Sequence, residues 1–433
     1  MSYADFLAAK AEHRWQHGPD VDPDNVDPIL HRWQRDVTAW AVRTGRAAVF
    51  ADCGLGKTFV QLQWAHLVAE RTLILAPLSV ARQTVREARK LSMDVRYVRD
   101  ASELPDTGVA ITNYEMADKV GADWCDAVVL DESSILKAVD GKTRRRLTDM
   151  YQQVPYRLAC SATPAPNDVA ELTNHAEFLG VMPRNEMLAA YFVHDSDTGW
   201  RLKGHAAEAM YAWMASWAVA LRKPSDLGYD DTGYLLPPRT VVPEVVRVEV
   251  VPDGQLFATD LGGVGGRATV RRETLDARVA RTVEIAQEHD EPIIVWCGLN
   301  DEATAVAGAL GDEAVNVPGA WKPEDKAAAL EDFQDGRVRV LVTKPSIAGF
   351  GMNFQHCARQ VFCGIGDSYE AYYQAIRRSW RYGQDREVTA HVVVSELEEQ
   401  IVENVRRKER DADRMNAQLV AAVARRISQE AAA

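Results

Sequence analysis

Residues 46–58 read RAAVFADCGLGKT and decide the fold of the first part of the chain. The run RAAVF is short, apolar and β-prone, and a helix-patterned stretch, FVQLQWAHLV, follows at 59–68. A glycine-rich turn lies between them. A strand, a glycine turn and a helix in this order are typical of a loop that binds phosphate groups.

The loop supplies both the glycines and the cation that phosphate binding needs. Gly54 and Gly56 let consecutive backbone N–H groups point inward at a helix N-terminus, where the helix dipole favours anions. The pattern G-x-x-x-x-G-K-[ST] has Ala51 in its first position here. We predict that Lys57 reaches the β- and γ-phosphates of ATP and that the Thr58 hydroxyl binds Mg²⁺.

An acidic pair follows a second apolar run. Asp131 and Glu132 come directly after AVVL at 127–130, so both carboxylates emerge at the carboxyl end of a predicted strand. Ligands of open α/β sheets bind at that edge. We predict that Asp131 holds Mg²⁺ and that Glu132 polarises the attacking water.

The order of elements predicts the fold class. Short apolar runs alternate with helix-patterned stretches, which indicates βαβ units and parallel sheets. The runs are 46–50, 72–76, 108–112, 126–130 and 157–161, and then 292–297, 313–317, 338–343, 360–363 and 388–394. We predict two α/β domains at 1–165 and 241–395, an aromatic-rich helical linker at 166–240 and a helical brace at 396–433.

The composition is that of a globular protein, with 433 residues, 47% of them hydrophobic, and a net charge of −13. Disorder, collagen and small disulfide scaffolds are therefore excluded. The six cysteines form no C-x-x-C pair, and the ten histidines show no metal-binding spacing, so Mg²⁺ with the nucleotide is the one metal inferred. No apolar run approaches the roughly 18 residues of a membrane helix. We expect a cytoplasmic protein without a membrane partner.

Many ordered motifs between residues 30 and 408 resemble those of superfamily 2 helicases, specifically the Swi/Snf-type DNA translocases in a compact bacterial or tailed-phage form. The DCGLGKT loop at 52–58 resembles the family's phosphate loop, and Gln34 stands at the position that reads adenine. Ser134 stands where the family usually has His. Further resemblances are PLS at 77–79, TNYE at 112–115, SATP at 161–164 and GFGMNF at 349–354, which contains Gly351 at a nucleotide-binding position.

The most specific resemblance lies near the C-terminus. Residues 374–384, QAIRRSWRYGQ, match the family's Q-x-x-x-R-x-x-R-x-G-Q signature. Arg378 and Arg381 are three apart, so on a helix both would point from one face toward the same spot. We predict that they stabilise charge on the transferring γ-phosphate. Arg377 and Arg386 are interpreted as a solvated face.

The resemblance implies a P-loop NTPase of the helicase type with two RecA-like lobes. Such an enzyme is expected to hydrolyse ATP with Mg²⁺ between its lobes. The expected partner of the protein is DNA, preferably duplex, and replication or recombination proteins are possible further partners. If the protein is phage-encoded, the expected location is the host cytoplasm. The negative net charge bears on solubility and does not exclude DNA as a partner, because binding depends on where the cations lie. In this sequence they concentrate near the motifs, at Arg82, Arg86, 142–146 and 377–386.

The sequence is compatible with several alternative functions. A strand-separating DNA or RNA helicase would need a wedge, and the aromatics of 166–240 are more often core than stacking platforms. A phage packaging motor would need nuclease carboxylates in the second domain, and an ATP-gated DNA clamp would not need Glu132. The basic run at 142–146 fits phosphate contacts and a solvated helix face equally well.

Overall fold

The computed structural model describes residues 18–137, 141–195, 199–247, 271–348, 352–366 and 368–432. The chain divides into two compact units. The first takes in the chain up to Thr232 and again from Arg410, and the second is Gly233–Glu409. Each contains one parallel sheet, so the predicted α/β fold class with two parallel-sheet domains is confirmed.

The first unit is built on a sheet of seven described strands in the order β3-β4-β2-β5-β6-β1-β9, and every pair is parallel. Their side chains are almost wholly buried, as is usual for parallel strands covered on both faces. The strands are β1 (Arg46–Ala51), β2 (Arg71–Ala76), β3 (Val95–Tyr97), β4 (Gly108–Asn113), β5 (Ala127–Asp131), β6 (Tyr156–Cys160) and β9 (Ala218–Leu221).

The helices of the first unit lie between these strands, and the first two are tied together in the core. Trp64 is fully buried, and its indole N–H donates to the Ala41 carbonyl at 3.1 Å. The helices are α1 (Arg32–Thr44), α2 (Lys57–Val68), α3 (Leu78–Ala88), α4 (Ala117–Val120), α5 (Lys142–Tyr151), α6 (Leu172–Leu179), α7 (Arg184–Tyr191) and α8 (Ala207–Met214).

The region interpreted as a helical linker also contains strands. Strand β9 pairs with β1, and β7 (Phe192–Asp195) and β8 (Gly199–Leu202) form an antiparallel hairpin. A short apolar run such as β9 cannot be told from helix by periodicity alone, which is why the sequence did not reveal it. Most of the large aromatics here are buried core residues, as expected: Phe178, Tyr191, Phe192, Trp213 and Trp217.

The second unit has a sheet of six described parallel strands in the order β10-β15-β14-β11-β13-β12. They are β10 (Arg239–Val246), β11 (Ile293–Cys297), β12 (Ala314–Asn316), β13 (Val340–Thr343), β14 (Arg359–Cys363) and β15 (Val388–Ser395). The helices with them are α9 (Leu275–Gln287), α10 (Asn300–Leu310), α11 (Pro323–Gln334), α12 (Pro345–Ala348) and α13 (Tyr369–Ile376).

A buried ion network ties the second unit together. Arg278 and Glu302 are fully buried and joined at 2.7 Å, and Glu398, 2% exposed, lies 3.6 Å from Arg278. Glu302 also accepts the backbone N–H groups of Gly298 at 2.8 Å and Leu299 at 2.9 Å. Buried charges must be paired in this way, because an unpaired one carries a large desolvation cost.

The last helix, α14 (Glu399–Ala432), begins in the second unit, and its residues from Arg410 belong to the first. Within the first unit, the Arg222 guanidinium donates to the Asp413 carbonyl at 2.7 Å. Met415, Leu419 and Val423 are buried there. Across the described residues, no helix combines the length and the apolar character needed to span a membrane.

Candidate nucleotide-binding and catalytic site

The glycine turn between β1 and α2 has the backbone that a phosphate loop requires. Gly54 and Gly56 have φ of 87° and 71°, in the left-handed region that L side chains rarely adopt. A Cβ on Gly56 would lie 2.4 Å from Nε2 of Gln34. The two positions predicted from the sequence are therefore ones where the geometry needs glycine.

Lys57 and Thr58 open helix α2, directly after the turn. The Lys57 ammonium donates to the carbonyls of Ala51 at 2.8 Å and Asp52 at 3.2 Å. It is therefore folded over the loop whose N–H groups and helix dipole favour an anion. An ammonium has three donors, so one more acceptor can be bound there.

Gln34 lies against this loop. Its side chain is 4% exposed, donates from Nε2 to the Leu55 carbonyl at 3.0 Å, and accepts the His31 N–H at 2.8 Å. The amide thus connects the start of α1 with the turn. That Gln34 reads adenine stays a prediction.

Asp131 ends strand β5 and meets helix α2 in the buried interior. Gln61 donates to its Oδ1 at 2.7 Å, and the Glu132 N–H donates to the same oxygen at 3.0 Å. Burial raises the pKa of Asp131, while the Gln61 bond and the Lys57 charge oppose that rise. Sequence reasoning missed Gln61, although its spacing of four from Lys57 places both on one helix face.

Glu132 has an unusual backbone. Its φ is 53°, so a residue with a side chain occupies the left-handed region. Such positions cost free energy and are concentrated at functional sites. The neighbours on both sides are held by buried side chains from elsewhere: Tyr114 contacts Asp131, and His175 contacts Ser133. Nothing in the spacing of the sequence pointed to His175.

The segment at 161–171 is held by its own polar side chains. The Thr163 N–H donates to Oγ of Ser161 at 3.0 Å. Asn167 donates to Glu171 from its backbone at 3.0 Å and from its side chain at 2.9 Å. Burial raises the pKa of Glu171. This segment is therefore ordered by local hydrogen bonds.

The basic run on α5 divides into two kinds of residue. Arg144 is buried and bound to Glu177, and Arg146 donates to the Tyr114 carbonyl at 3.0 Å and to Asp118 at 2.9 Å. Lys142 and Arg145 are exposed. The run is thus partly structural, and its exposed cations are the ones that suit a phosphate backbone.

In the second unit, two arginines converge on one carbonyl. Nη1 of Arg378 and Nη1 of Arg381 donate to the Met352 oxygen at 3.1 and 3.2 Å. Gln374 fixes Arg378 further, at 3.0 Å through its carbonyl and at 2.8 Å through its side chain. The neighbouring Gly351 lies outside the described residues, so its predicted role in nucleotide binding stays a prediction.

The expectation that these arginines lie on a helix was wrong, because α13 ends at Ile376, and Arg378 follows in a turn and Arg381 in a bend. The chain after Ile376 is held by contacts from other segments: the Gln360 side chain donates to the Ile376 carbonyl at 3.2 Å, and the Phe354 N–H donates to the Arg378 carbonyl at 2.9 Å. Tertiary contacts rather than helical spacing bring the pair together.

The interpretation of Arg377 as a solvated residue was also wrong. Its side chain is 2% exposed, and its guanidinium lies 4.8 Å from the ring centroid of Trp380. The guanidinium of Arg239 lies 4.9 Å from the same centroid. Arg386 is exposed and bonds Glu291 at 3.3 Å. Cation–π contacts to Trp380 therefore make Arg377 structural.

Across the described residues, no cluster of three or more His, Cys, Asp or Glu side chains could hold a metal ion. Asp131 and Thr58 are the predicted Mg²⁺ ligands. Nucleotide-bound Mg²⁺ is usually held by only one or two protein groups together with phosphates and waters. One hydroxyl and one carboxylate are therefore suitable ligands for such an ion.

Comparisons with known proteins find a family model and similar solved structures. Residues 276–383 match the family model of the helicase conserved C-terminal domain, a range that includes Arg378 and Arg381. Saccharomyces cerevisiae Dbp5 bound to RNA and ADP BeF3 is similar in structure, with a TM-score of 0.54 and 13% identity over 90% of this chain and 93% of that chain. At this identity the likeness shows the fold alone.

The Sulfolobus solfataricus SWI2/SNF2 ATPase core in complex with dsDNA has a TM-score of 0.43 and 19% identity, over 87% of this chain and 90% of that chain. A search of curated proteins finds no match. Residues 276–383 of the second unit are therefore similar to the helicase conserved C-terminal domain. With two RecA-like parallel-sheet units, the chain has a helicase-type fold.

Proposed function

We propose that the protein is an ATP-driven DNA translocase of the Swi/Snf type. It hydrolyses ATP with Mg²⁺ and moves along duplex DNA. The observation that carries the proposal is the bond of 2.7 Å from Gln61 to Asp131, which joins the helix that opens at Lys57 to the acidic strand end. The resemblance of the motifs from Gln34 to Gln384 to those of Swi/Snf-type translocases supports the assignment to that type.

The residues of the first unit fit ATP and Mg²⁺. The loop at 52–58 provides N–H groups and Lys57 for the phosphates, and Thr58 and Asp131 provide oxygens for the metal. The metal would neutralise charge that develops on the phosphate oxygens. Glu132 would orient the attacking water and accept its proton. Each role uses a residue type suited to that chemistry.

Arg378 and Arg381 would stabilise the γ-phosphate during transfer. Both guanidiniums already point at one oxygen, that of Met352, so their donors are directed to one place. Planar guanidiniums suit phosphate oxygens, and an arginine in this role contributes a large part of the rate.

DNA binding is supported by exposed cations on two helices of the first unit. Arg82 and Arg86 are exposed and one helical turn apart on α3, and Lys142 and Arg145 are exposed on α5. Such cations bind phosphates without reading sequence, with an affinity that falls steeply with salt. Arg82→Ala with Arg86→Ala should weaken DNA binding and lower its salt dependence, while hydrolysis without DNA stays unchanged.

The test is to compare ATP hydrolysis with duplex DNA, single-stranded DNA and RNA, together with displacement of a triplex-forming strand. Stimulation by duplex and triplex displacement are expected. Glu132→Gln should bind ATP without hydrolysing it, which excludes a contaminating ATPase. Stimulation by single strands alone, without triplex displacement, would overturn the proposal.

A second candidate is a strand-separating helicase, and one observation favours it. In the hairpin of β7 and β8, His194 and Trp200 are cross-strand partners with ring centroids 4.9 Å apart. Partly exposed aromatic rings can stack on bases. Unwinding of a tailed duplex that Trp200→Ala abolishes, with ATPase intact, would support this candidate over translocation on an intact duplex.

A further inference from the structure

The turn that carries Glu132 is held from two sides, and we infer that Tyr114 and His175 are the residues that position this carboxylate for hydrolysis. The inference rests on the proposed function and deepens it. Neither residue contacts the reacting atoms directly. Each acts through the residue next to Glu132, Tyr114 through Asp131 and His175 through Ser133.

The Tyr114 anchor is a buried neutral hydrogen bond. The side chain is 4% exposed, and its hydroxyl donates to the Asp131 backbone carbonyl at 2.6 Å. Because the bond reaches the main chain, it fixes the peptide unit between Asp131 and Glu132.

The His175 anchor lies on the other side of Glu132. Nε2 of His175 is 3.1 Å from Oγ of Ser133, and both side chains are fully buried. Burial lowers the pKa of His175 to about 4, so the ring is neutral at neutral pH and forms an uncharged bond. The preceding residue, Asn174, donates to the Leu136 carbonyl at 2.8 Å. Helix α6 therefore holds the turn after Glu132 at two points.

Anchors on both sides are what the Glu132 backbone requires. A residue with a side chain stays at a φ of 53° only where the surrounding structure fixes it. Without the anchors the turn would relax toward an ordinary φ and the carboxylate would point elsewhere. A displacement of about 1 Å can cost roughly 100-fold in rate when a catalytic group is misplaced.

Tyr114 and His175 come from or next to two other segments of the first unit, so they connect the Glu132 turn to those segments. Tyr114 lies in the 112–115 segment, and its carbonyl accepts a hydrogen bond from Arg146 on the basic helix α5 at 3.0 Å. His175 lies on the helix that follows the 161–171 segment. Movement of either segment would be passed to the Glu132 turn. Nucleic acid that shifts these segments would therefore change turnover more than nucleotide affinity.

The first experiment uses Tyr114→Phe and His175→Leu in the full chain. We expect each to lower kcat for ATP hydrolysis about tenfold or more, with KM and the Kd for ATP changed less than about twofold. Tyr151→Phe is the matched control, because Tyr151 is fully buried in the same unit and its hydroxyl has no hydrogen-bond partner within the described part of the chain.

A second set of variants separates positioning from general destabilisation. The double variant Ser133→Ala with His175→Leu should lose no more kcat than either single variant, because both changes remove the same hydrogen bond. Tyr114→Phe in a Glu132→Gln background should cause no further loss of hydrolysis. His175→Gln, which keeps a polar nitrogen, should recover part of kcat. Leu179→Ala destabilises the same helix without touching the turn and should leave kcat near wild type.

The outcomes separate the inference from the function on which it rests. A wild-type protein without nucleic-acid-stimulated ATP hydrolysis would remove the proposed function itself. A wild type that hydrolyses ATP while Tyr114→Phe and His175→Leu match Tyr151→Phe would overturn the inference alone. A loss of kcat in Leu179→Ala equal to that in His175→Leu, at equal loss of thermal stability, would also overturn it.

Discussion

Gln61 on helix α2 donates a 2.7 Å hydrogen bond to Asp131 at the end of strand β5, and both side chains are buried. The residues are 70 apart in the sequence. The bond satisfies one oxygen of a carboxylate whose burial is otherwise unfavourable, and it aligns the phosphate loop with the acidic strand end. The site therefore keeps an ionisable group where stability alone would favour a neutral one.

Asp131→Asn should stabilise the protein without nucleotide or Mg²⁺ while abolishing ATP hydrolysis. Burial raises the pKa of Asp131 above its ordinary value. When the pKa of a carboxyl group is higher in the folded than in the unfolded protein, the group's contribution to stability is fully present below the pKa of the unfolded state. That contribution is lost as the pH rises through the pKa of the folded state. At neutral pH the buried charge thus costs stability, and removing it should raise Tm.

The measurement is thermal unfolding at neutral pH alongside turnover. Asp149→Asn, on an exposed position of α5, is the control and should leave both nearly unchanged. A lower Tm for Asp131→Asn than for wild type would contradict the prediction.

Gly56→Ala should weaken ATP binding by more than about tenfold, because the new Cβ meets Gln34 and the residue has a φ of +71°. Gly121→Ala is a matched control in the same unit, with a φ of +73° and nothing within 4 Å of the added Cβ. Nucleotide titration of both variants separates the clash from the backbone strain. Equal ATP affinities for the two would show that Gln34 does not limit the loop.

Arg378→Ala and Arg381→Ala should differ in stability but not in the direction of their effect on turnover. Arg378 is 5% exposed and bonds both Gln374 and Met352, so its loss should lower Tm as well as kcat. Arg381 is less buried and should lower kcat with a smaller change in Tm. Kinetics and thermal unfolding measure the two effects. Wild-type turnover of Arg381→Ala would argue against its arginine-finger role.

Arg278→Met should destabilise the second unit by about 3–5 kcal/mol, because it removes the fully buried cation of the network and leaves Glu302 and Glu398 with Arg271 as their remaining arginine partner. Arg281→Met on the same helix is the comparison. That side chain is 33% exposed and pairs with surface carboxylates, so its loss should cost less than about 1 kcal/mol. Chemical denaturation gives both values, and similar costs would mean that the buried network adds little.

The sequence predicted the fold and most of the proposed site, because those features depend on neighbouring residues. A glycine turn between a strand and a helix is read from 46–68, and a carboxylate pair after an apolar run is read from 127–132. The alternation of elements then predicts parallel sheets without long-range information. These local signals located Lys57 at the start of a helix and Asp131 and Glu132 at the end of a strand, where the structure has them.

What the sequence could not supply depends on contacts between distant segments. Gln61 and His175 carry no motif, and only folding brings them to Asp131 and Ser133. The helix expected at Arg378 ends at Ile376, and the chain beyond it is held by hydrogen bonds from Gln360 and Phe354. Residue types and local spacing determined which groups this protein has for its chemistry. Packing alone decided how they are held, since a buried hydrogen bond forms between whichever partners the tertiary structure places within reach.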